Sequence, residues 1–198
     1  MSEFISNFPI DLPLITASNA WAITHEIKAI VEQLICDLDH QYEVQNGIAI
    51  HKTALVEKGV TLKAPLIIGA DCRIGAHAYF REGVFLDRSV KIGPGSEIKS
   101  SIICSNSAVA HLNYIGNSII GSRVNFEAGS IAANHYNERS DKHISVKYRG
   151  EIIATGLTKF GSLVGDDSKI GANAVLSPGT ILDKNSIVKR LELIEQLK

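Results

Sequence analysis

From Ile50 onward every sixth residue is apolar. The series runs Ile50, Val56, Leu62, Ile68, Ile74, Phe80, Leu86, Ile92 and Ile98, then weakens to Cys104 and Ala110. A companion series stands four residues later: Ala54, Val60, Leu66, Cys72, Ala78, Val84, Val90, Ser96, Ile102 and Ala108. Helical periodicity (about 3.6) and strand alternation (about 2) both fail to generate a six-residue period. Such a period predicts a solenoid of triangular coils, three six-residue units to a turn, whose short strands stack in parallel.

The repeat accounts for most of the 198 residues, so one domain with appendages is expected. A net charge of −1 gives no general attraction to nucleic acid or to an anionic membrane. No apolar run approaches the roughly 18 residues needed to span a bilayer. The start, MSEFISNFPIDLP, lacks the basic and apolar regions of a signal peptide, and a cytoplasmic location is expected. Cys36, Cys72 and Cys104 show no metal-ligand spacing. Cys72 and Cys104 occupy inward positions of the repeat, which fits reduced, packed thiols.

Residues 1–45 read as an irregular arm, marked by Pro9 and Pro13, followed by a helix over about 19–38. Ser18 or Asn19 is placed to cap that helix. Its stripe of Ile23, Ile27, Ile30, Val31 and Leu34 is expected to cover the open end of the first coil, where strand edges would otherwise be bare. The solenoid is assigned to 46–188. Near residue 115 the register slips by one, and by 120 by one more, with Ile115, Ile120, Phe126 and Ala132 carrying the inward series onward. From 134 to 160 the period vanishes. That polar stretch reads as an ejected loop with a hairpin at Arg149-Gly150, and long loops in compact folds are commonly functional. Val164, Ile170, Leu176, Leu182 and Val188 resume the period, and 189–198 reads as a helical tail capping the far end.

Residues 18 apart lie on one face of successive coils, about 4.8 Å from each other. Lys63, Arg81 and Lys99 obey that spacing, each directly after an inward residue, and so form a basic ladder. Stacked like charges repel. Either an anion, with phosphate the natural candidate for a guanidinium beside ammoniums, or neighbours such as Glu82 and Glu97 must balance them. His111 lies 12 residues beyond Lys99, on another face; an imidazole there is either a general base or an ordinary surface histidine. No two histidines stand five positions apart, so a solenoid zinc site is not expected. No glycine-rich phosphate loop or Gly-x-Ser-x-Gly nucleophile is present.

The segment Arg81 to Asn134, above all AHLNYIGNSIIGSRVNFEAGSIAAN, resembles the acetyltransferase half of bifunctional N-acetylglucosamine-1-phosphate uridyltransferase/glucosamine-1-phosphate acetyltransferases. VKYRGEIIATGLTKFGSLVGDD is closer to the archaeal-type sugar-1-phosphate nucleotidylyltransferase/amino-sugar acetyltransferases. The resemblance implies an all-β fold, a single-stranded left-handed parallel β-helix, assembled as a homotrimer. It also implies acetyl transfer from acetyl-CoA to the amine of an amino-sugar 1-phosphate, with no metal required. In its terms His111 is the general base, Arg81 and Lys99 hold the phosphate, Tyr114 and Asn125 position the sugar, and Asn134 orients the thioester. The family's loop lysine maps to Lys142 or Lys147. Ala172 stands in the donor coil where a serine is usual. The family's nucleotidyltransferase domain has no counterpart in these residues, so nucleotidyl transfer is not expected. Two alternatives remain: a non-catalytic trimeric solenoid that binds a sugar phosphate or nucleotide sugar and partners a separate nucleotidyltransferase, and an acyltransferase for a nucleotide-linked amino sugar.

Overall fold

The computed structural model describes residues 1–9 and 19–197. It is a left-handed β-helix flanked along one side by a helix, an arm and a hairpin. Three columns of parallel strands form the faces. One, the Asn125 face, is a seven-stranded sheet from Leu55–Val56 through Asn125–Phe126 to Ile187–Val188. The ladder face carries Thr61–Leu62, the start of Tyr79–Leu86, the start of Glu97–Ile103, Tyr114–Gly116, Ile131–Ala132, Val175–Leu176 and Leu193–Ile194. The third face runs from Leu66–Ile68 through Ile119–Ile120 to Ser162–Val164 and Thr180–Leu182. Most strands contribute one outward and one inward residue. The inward set, including Phe80, Ile98, Ile115 and Phe126, fills the interior with almost no exposure. Tight corners demand the left-handed backbone region, and Asp71, His77, Ser89, Asn106, Arg123, Asn173 and Asn185 all adopt it.

A second apolar layer lies outside the third face. The helix α1, Ala20–Cys36, starts where Asn19 accepts a hydrogen bond from the Ala22 amide at 3.0 Å. Pro13 and Ser18, which figured in the expected arm and cap, lie outside the described residues. Ile23, Ile27 and Val31 recur at helical spacing and are buried against Ile67, Ile102 and Ile119. The helix therefore runs along the side of the coils and does not plug their open end, because its apolar stripe matches a face bearing outward isoleucines. One of the first coil's three edges is covered another way. The strand β1, Tyr42–Gln45, pairs antiparallel with β2, Ile48–His51, across an Asn46-Gly47 turn in which both residues have positive φ. That Asn-Gly between two strand-like runs was the available sequence signal for the hairpin.

Two further expectations change. The tail is not helical: residues 193–194 form one more parallel strand on Val175–Leu176, with Leu193 exposed. Its apolar residues suit a helical stripe, but Val188 and Ile194 also keep the six-residue period, and stacking on an existing coil satisfies their backbone. The register slip begins earlier than 115. Arg81 pairs with Lys99 18 residues on, whereas Val84 pairs with Ser101 17 residues on, and the irregularity falls between Arg81 and Val84. A corner made of Glu82 and Gly83 is thus replaced in the next coil by Ser100 alone. Ile103, not Cys104, then points inward, and Cys104 is buried in the outer layer.

The ejected segment leaves after Asn134 and returns at Phe160, whose amide donates to the Asn134 carbonyl at 3.0 Å. Within it Ser145–Tyr148 and Glu151–Ala154 form the expected hairpin around Arg149-Gly150. Ile144 and Val146 bury its inner side, and Tyr136 donates to the Pro178 carbonyl at 2.9 Å. The arm packs nearby: the Ser6 amide donates to Asp166 at 2.9 Å, and Lys184 donates to the Ser2 carbonyl and the Ser6 hydroxyl. Helix, arm and hairpin together cover the third face.

Candidate active site

The basic ladder is in register, and its two lower rungs are joined by carboxylates. Arg81 donates from Nε to Glu97 at 2.7 Å and from Nη1 to Glu82 at 2.7 Å. The other oxygen of Glu82 lies 3.2 Å from Lys99 Nζ. The upper rung stands apart, with Lys63 Nζ 5.0 Å from the centre of the Tyr79 ring. The neighbours considered as balancing charges are therefore in place. Burial works against the Arg81 charge, but Glu97 and Glu82 outweigh it and hold the guanidinium pKa above its usual value. Burial would raise Glu82, yet Lys99 and Arg81 hold it below the usual carboxylate range. Lys99, only 7 % exposed in its side chain, goes the other way. Burial is the main cause and repulsion from Lys159 and Arg81 adds to it, so its pKa is lowered despite Glu82.

Tyr114 follows one coil below. Its ring lies over Gly116, where a Cβ would meet the Tyr114 ring carbon Cε1 at 2.8 Å. The phenol faces the Asn134 side chain; burial, then the Glu97 charge, raises its pKa. Asn134 is itself buried and donates to Asn117 Oδ1 at 2.6 Å. Arg81, Lys99, Tyr114 and Asn134 thus come together along the ladder face and its corner.

His111 occupies the bend between Ala108–Val109 on the Asn125 face and Tyr114–Gly116 on the ladder face. It is exposed, and its carbonyl accepts from the Gly129 amide at 3.0 Å. The bend is pinned by the buried Asn113, which donates to the carbonyl of Glu127 at 2.7 Å and to the Ser130 hydroxyl at 2.7 Å. Asn113 has no distinguishing signal in the sequence. Asn125 is exposed on the other face, in a cleft of about 500 Å³ that includes Glu127, Lys169 and Arg190. Ala172 adjoins that cleft: its amide donates to Glu127 at 2.9 Å, and the same carboxylate is forked by Arg190. The expected residues therefore form two groups on adjacent faces, with His111 at the bend between them.

Lys142 and Lys147 join neither group. Both are exposed on the ejected segment, and Lys147 lines a separate cleft with Glu3 and Arg149. The loop lysine whose charge reaches Lys99 is Lys159. It lies in aperiodic sequence, where no spacing could have singled it out. Among the described residues no three His, Cys, Asp or Glu side chains converge as a metal site.

Residues 44–153 match the family model described as GMPPB C-terminal domain. The chain belongs to that family. Residues 163–189 also match the hexapeptide repeat of succinyl-transferase. A bifunctional sugar-1-phosphate nucleotidylyltransferase/acetyltransferase of Sulfurisphaera tokodaii is 30 % identical over 161 residues, covering 81 % of this chain and 39 % of that protein. The bifunctional protein GlmU of Methanococcus vannielii is 36 % identical over 151 residues, 73 % of this chain and 36 % of its own length. GlmU of Buchnera aphidicola subsp. Schizaphis graminum is 36 % identical over 145 residues, covering 73 % of this chain and 27 % of that protein. The chain thus spans well under half the length of these relatives.

Proposed function

We propose that the chain transfers an acetyl group from acetyl-CoA to the amine of an amino-sugar 1-phosphate. The observation that carries this reading is the gathering of Arg81, Lys99, Tyr114 and Asn134 along one face and its corner, in a chain whose relatives bear the names of sugar-1-phosphate nucleotidylyltransferase/acetyltransferases. Arg81 and Lys99 bind the phosphate, exchanging Glu82 for it. Tyr114 and Asn134 fix the sugar on the ladder face. Asn125, as the resemblance implies, positions the sugar from the adjacent face, and the space beside Ala172 serves the donor across the bend. The amine lone pair attacks the thioester carbonyl, His111 takes the amine proton, and the C–S bond breaks to release coenzyme A as the thiol. Asn134 and neighbouring amides stabilise the oxyanion. The third face is covered by the chain itself, leaving the other two to meet neighbouring solenoids in a homotrimer. No described helix is long and apolar enough to cross a membrane.

A non-catalytic binding solenoid is the second reading, favoured by Ala172 in place of the usual serine. The experiment is thiol release with acetyl-CoA and a panel of hexosamine 1-phosphates, beside calorimetry with each ligand. His111→Ala should remain folded and lose about 10²–10⁴-fold in rate. Unchanged thiol release by that variant removes His111 from the role. Sugar-phosphate binding with no acetyl-CoA binding establishes the second reading instead.

A further inference from the structure

Directly past the ladder, around the corner toward the covered face, lies a cavity of about 590 Å³. One wall is the α1 turn Thr24–Lys28. Another is the column Glu82, Ser100 and Asn117, and the last is the returning segment Gly156–Lys159. The column has a simple origin: each member is the residue after a ladder position, namely Arg81, Lys99 and Gly116, which are paired in register. All three turn the chain with positive φ. With the sugar on the Tyr114 side of a phosphate held by Arg81 and Lys99, a second group carried by that phosphate therefore has this cavity as its path.

The distribution of charge points the same way. Glu82 and Glu97 together offset Arg81 and Lys99. Apart from Lys63, the surplus positive charge is Lys28 and Lys159 on two walls of the cavity, and neither forms an ion pair among the described residues. His25 stands beside Lys28 with Glu26 at 3.7 Å. Ile27 and Leu157 supply apolar wall, and Ser100, Asn117 and Thr158 supply polar atoms. The volume falls in the range of small-molecule sites, whereas a sugar monophosphate seated on the ladder has no use for it.

We infer that this cavity is the outer half of the acceptor site and takes the second phosphate and the nucleoside of a nucleoside-diphosphate amino sugar. Lys28 and Lys159 hold the outer phosphate, and the inner phosphate displaces Glu82 from Arg81 and Lys99. The inference rests on the acceptor phosphate binding at the ladder. It extends the acceptor from a sugar 1-phosphate to its nucleotide-linked form.

The test titrates the full chain by calorimetry with uridine diphosphate, guanosine diphosphate and glucosamine 1-phosphate at one fixed low salt concentration. It is then repeated with Lys28→Ala/Lys159→Ala. Both lysines are exposed, so the variant keeps the fold. At least one diphosphate should bind, compete with glucosamine 1-phosphate, and weaken tenfold or more in the variant, while glucosamine 1-phosphate changes by less than about twofold. Binding of neither diphosphate, or equal weakening of both ligand classes, overturns the inference. Thiol release separates it from the proposed reaction. Lysine-dependent diphosphate binding without acetylation of any acceptor refutes acetyl transfer and keeps the cavity. Acetylation of glucosamine 1-phosphate with no diphosphate binding does the reverse.

Discussion

Replacing Gly83 by alanine should loosen the helix that walls the acceptor cavity. Gly83 has φ +88°, and a Cβ there would lie 2.9 Å from Lys28 Cα, 3.0 Å from Lys28 N and 3.2 Å from Ile27 C. All three are backbone atoms of α1, so none can swing aside. Two costs add. The left-handed conformation is worth about 1–2 kcal/mol against a residue with a Cβ. Forcing a packed helix outward costs about 1–3 kcal/mol more, because Ile23, Ile27 and Val31 lose their fit to the covered face. The sum is about 2–5 kcal/mol. Gly150 separates the two contributions: its φ is +85°, and an added Cβ meets nothing within 4 Å. Gly150→Ala should therefore show only the conformational cost, about 1–2 kcal/mol. Urea unfolding of both variants at one protein concentration gives the comparison, and amide exchange in α1 should rise only in Gly83→Ala. Equal destabilisation with unchanged exchange would refute the close seating of α1 on this corner.

Two other measurements bear on charge and thiol chemistry. Glu82 has its folded pKa below the unfolded one, so its contribution to stability is present above the ordinary glutamate range, about 4.3, and is lost as pH falls through the lower folded value; Glu82→Gln should flatten that acid limb, and an unchanged limb would deny the Arg81–Glu82–Lys99 link. Burial pushes the Cys72 thiol up to about 12 and holds Cys104 well above its usual value, whereas Cys36 is exposed; alkylation of the folded chain at neutral pH should label Cys36 alone, and mass spectrometry showing early labelling of Cys104 would contradict the sealed outer layer.

The six-residue period made the coils legible because each inward position is a physical requirement of stacking. It misplaced the slip because Cys104 and Ala110 are small and apolar and prolong the series past the point where Ser100 had already shortened a corner. Periodicity cannot see an omitted corner residue when the next residues suit either side of the strand. The tail shows the converse: residues 187–194 satisfy a helical stripe and a coil equally, and only the availability of Val175–Leu176 as a partner decides. At the site, spacing by 18 found Arg81 and Lys99 because both belong to the repeat. Glu82 was legible only as a neighbour that balances charge. Its bridging position depends on a positive-φ corner. Lys28 and Lys159 were beyond reach, since one comes from a helix and the other from an aperiodic segment, and their meeting depends on how both dock against the coils.

The arm has a consequence for the order in which the molecule is made. Ser6 is held by Asp166, 160 residues later, and by Lys184, 178 residues later. Chains grow from the N-terminus at about 5–20 residues per second. The arm must therefore wait roughly 8 to 30 s for the partners that fix it, long after α1 can settle on the early coils. Closure of the arm therefore has to follow the coils that carry Asp166 and Lys184, and it completes the outer layer over the third face.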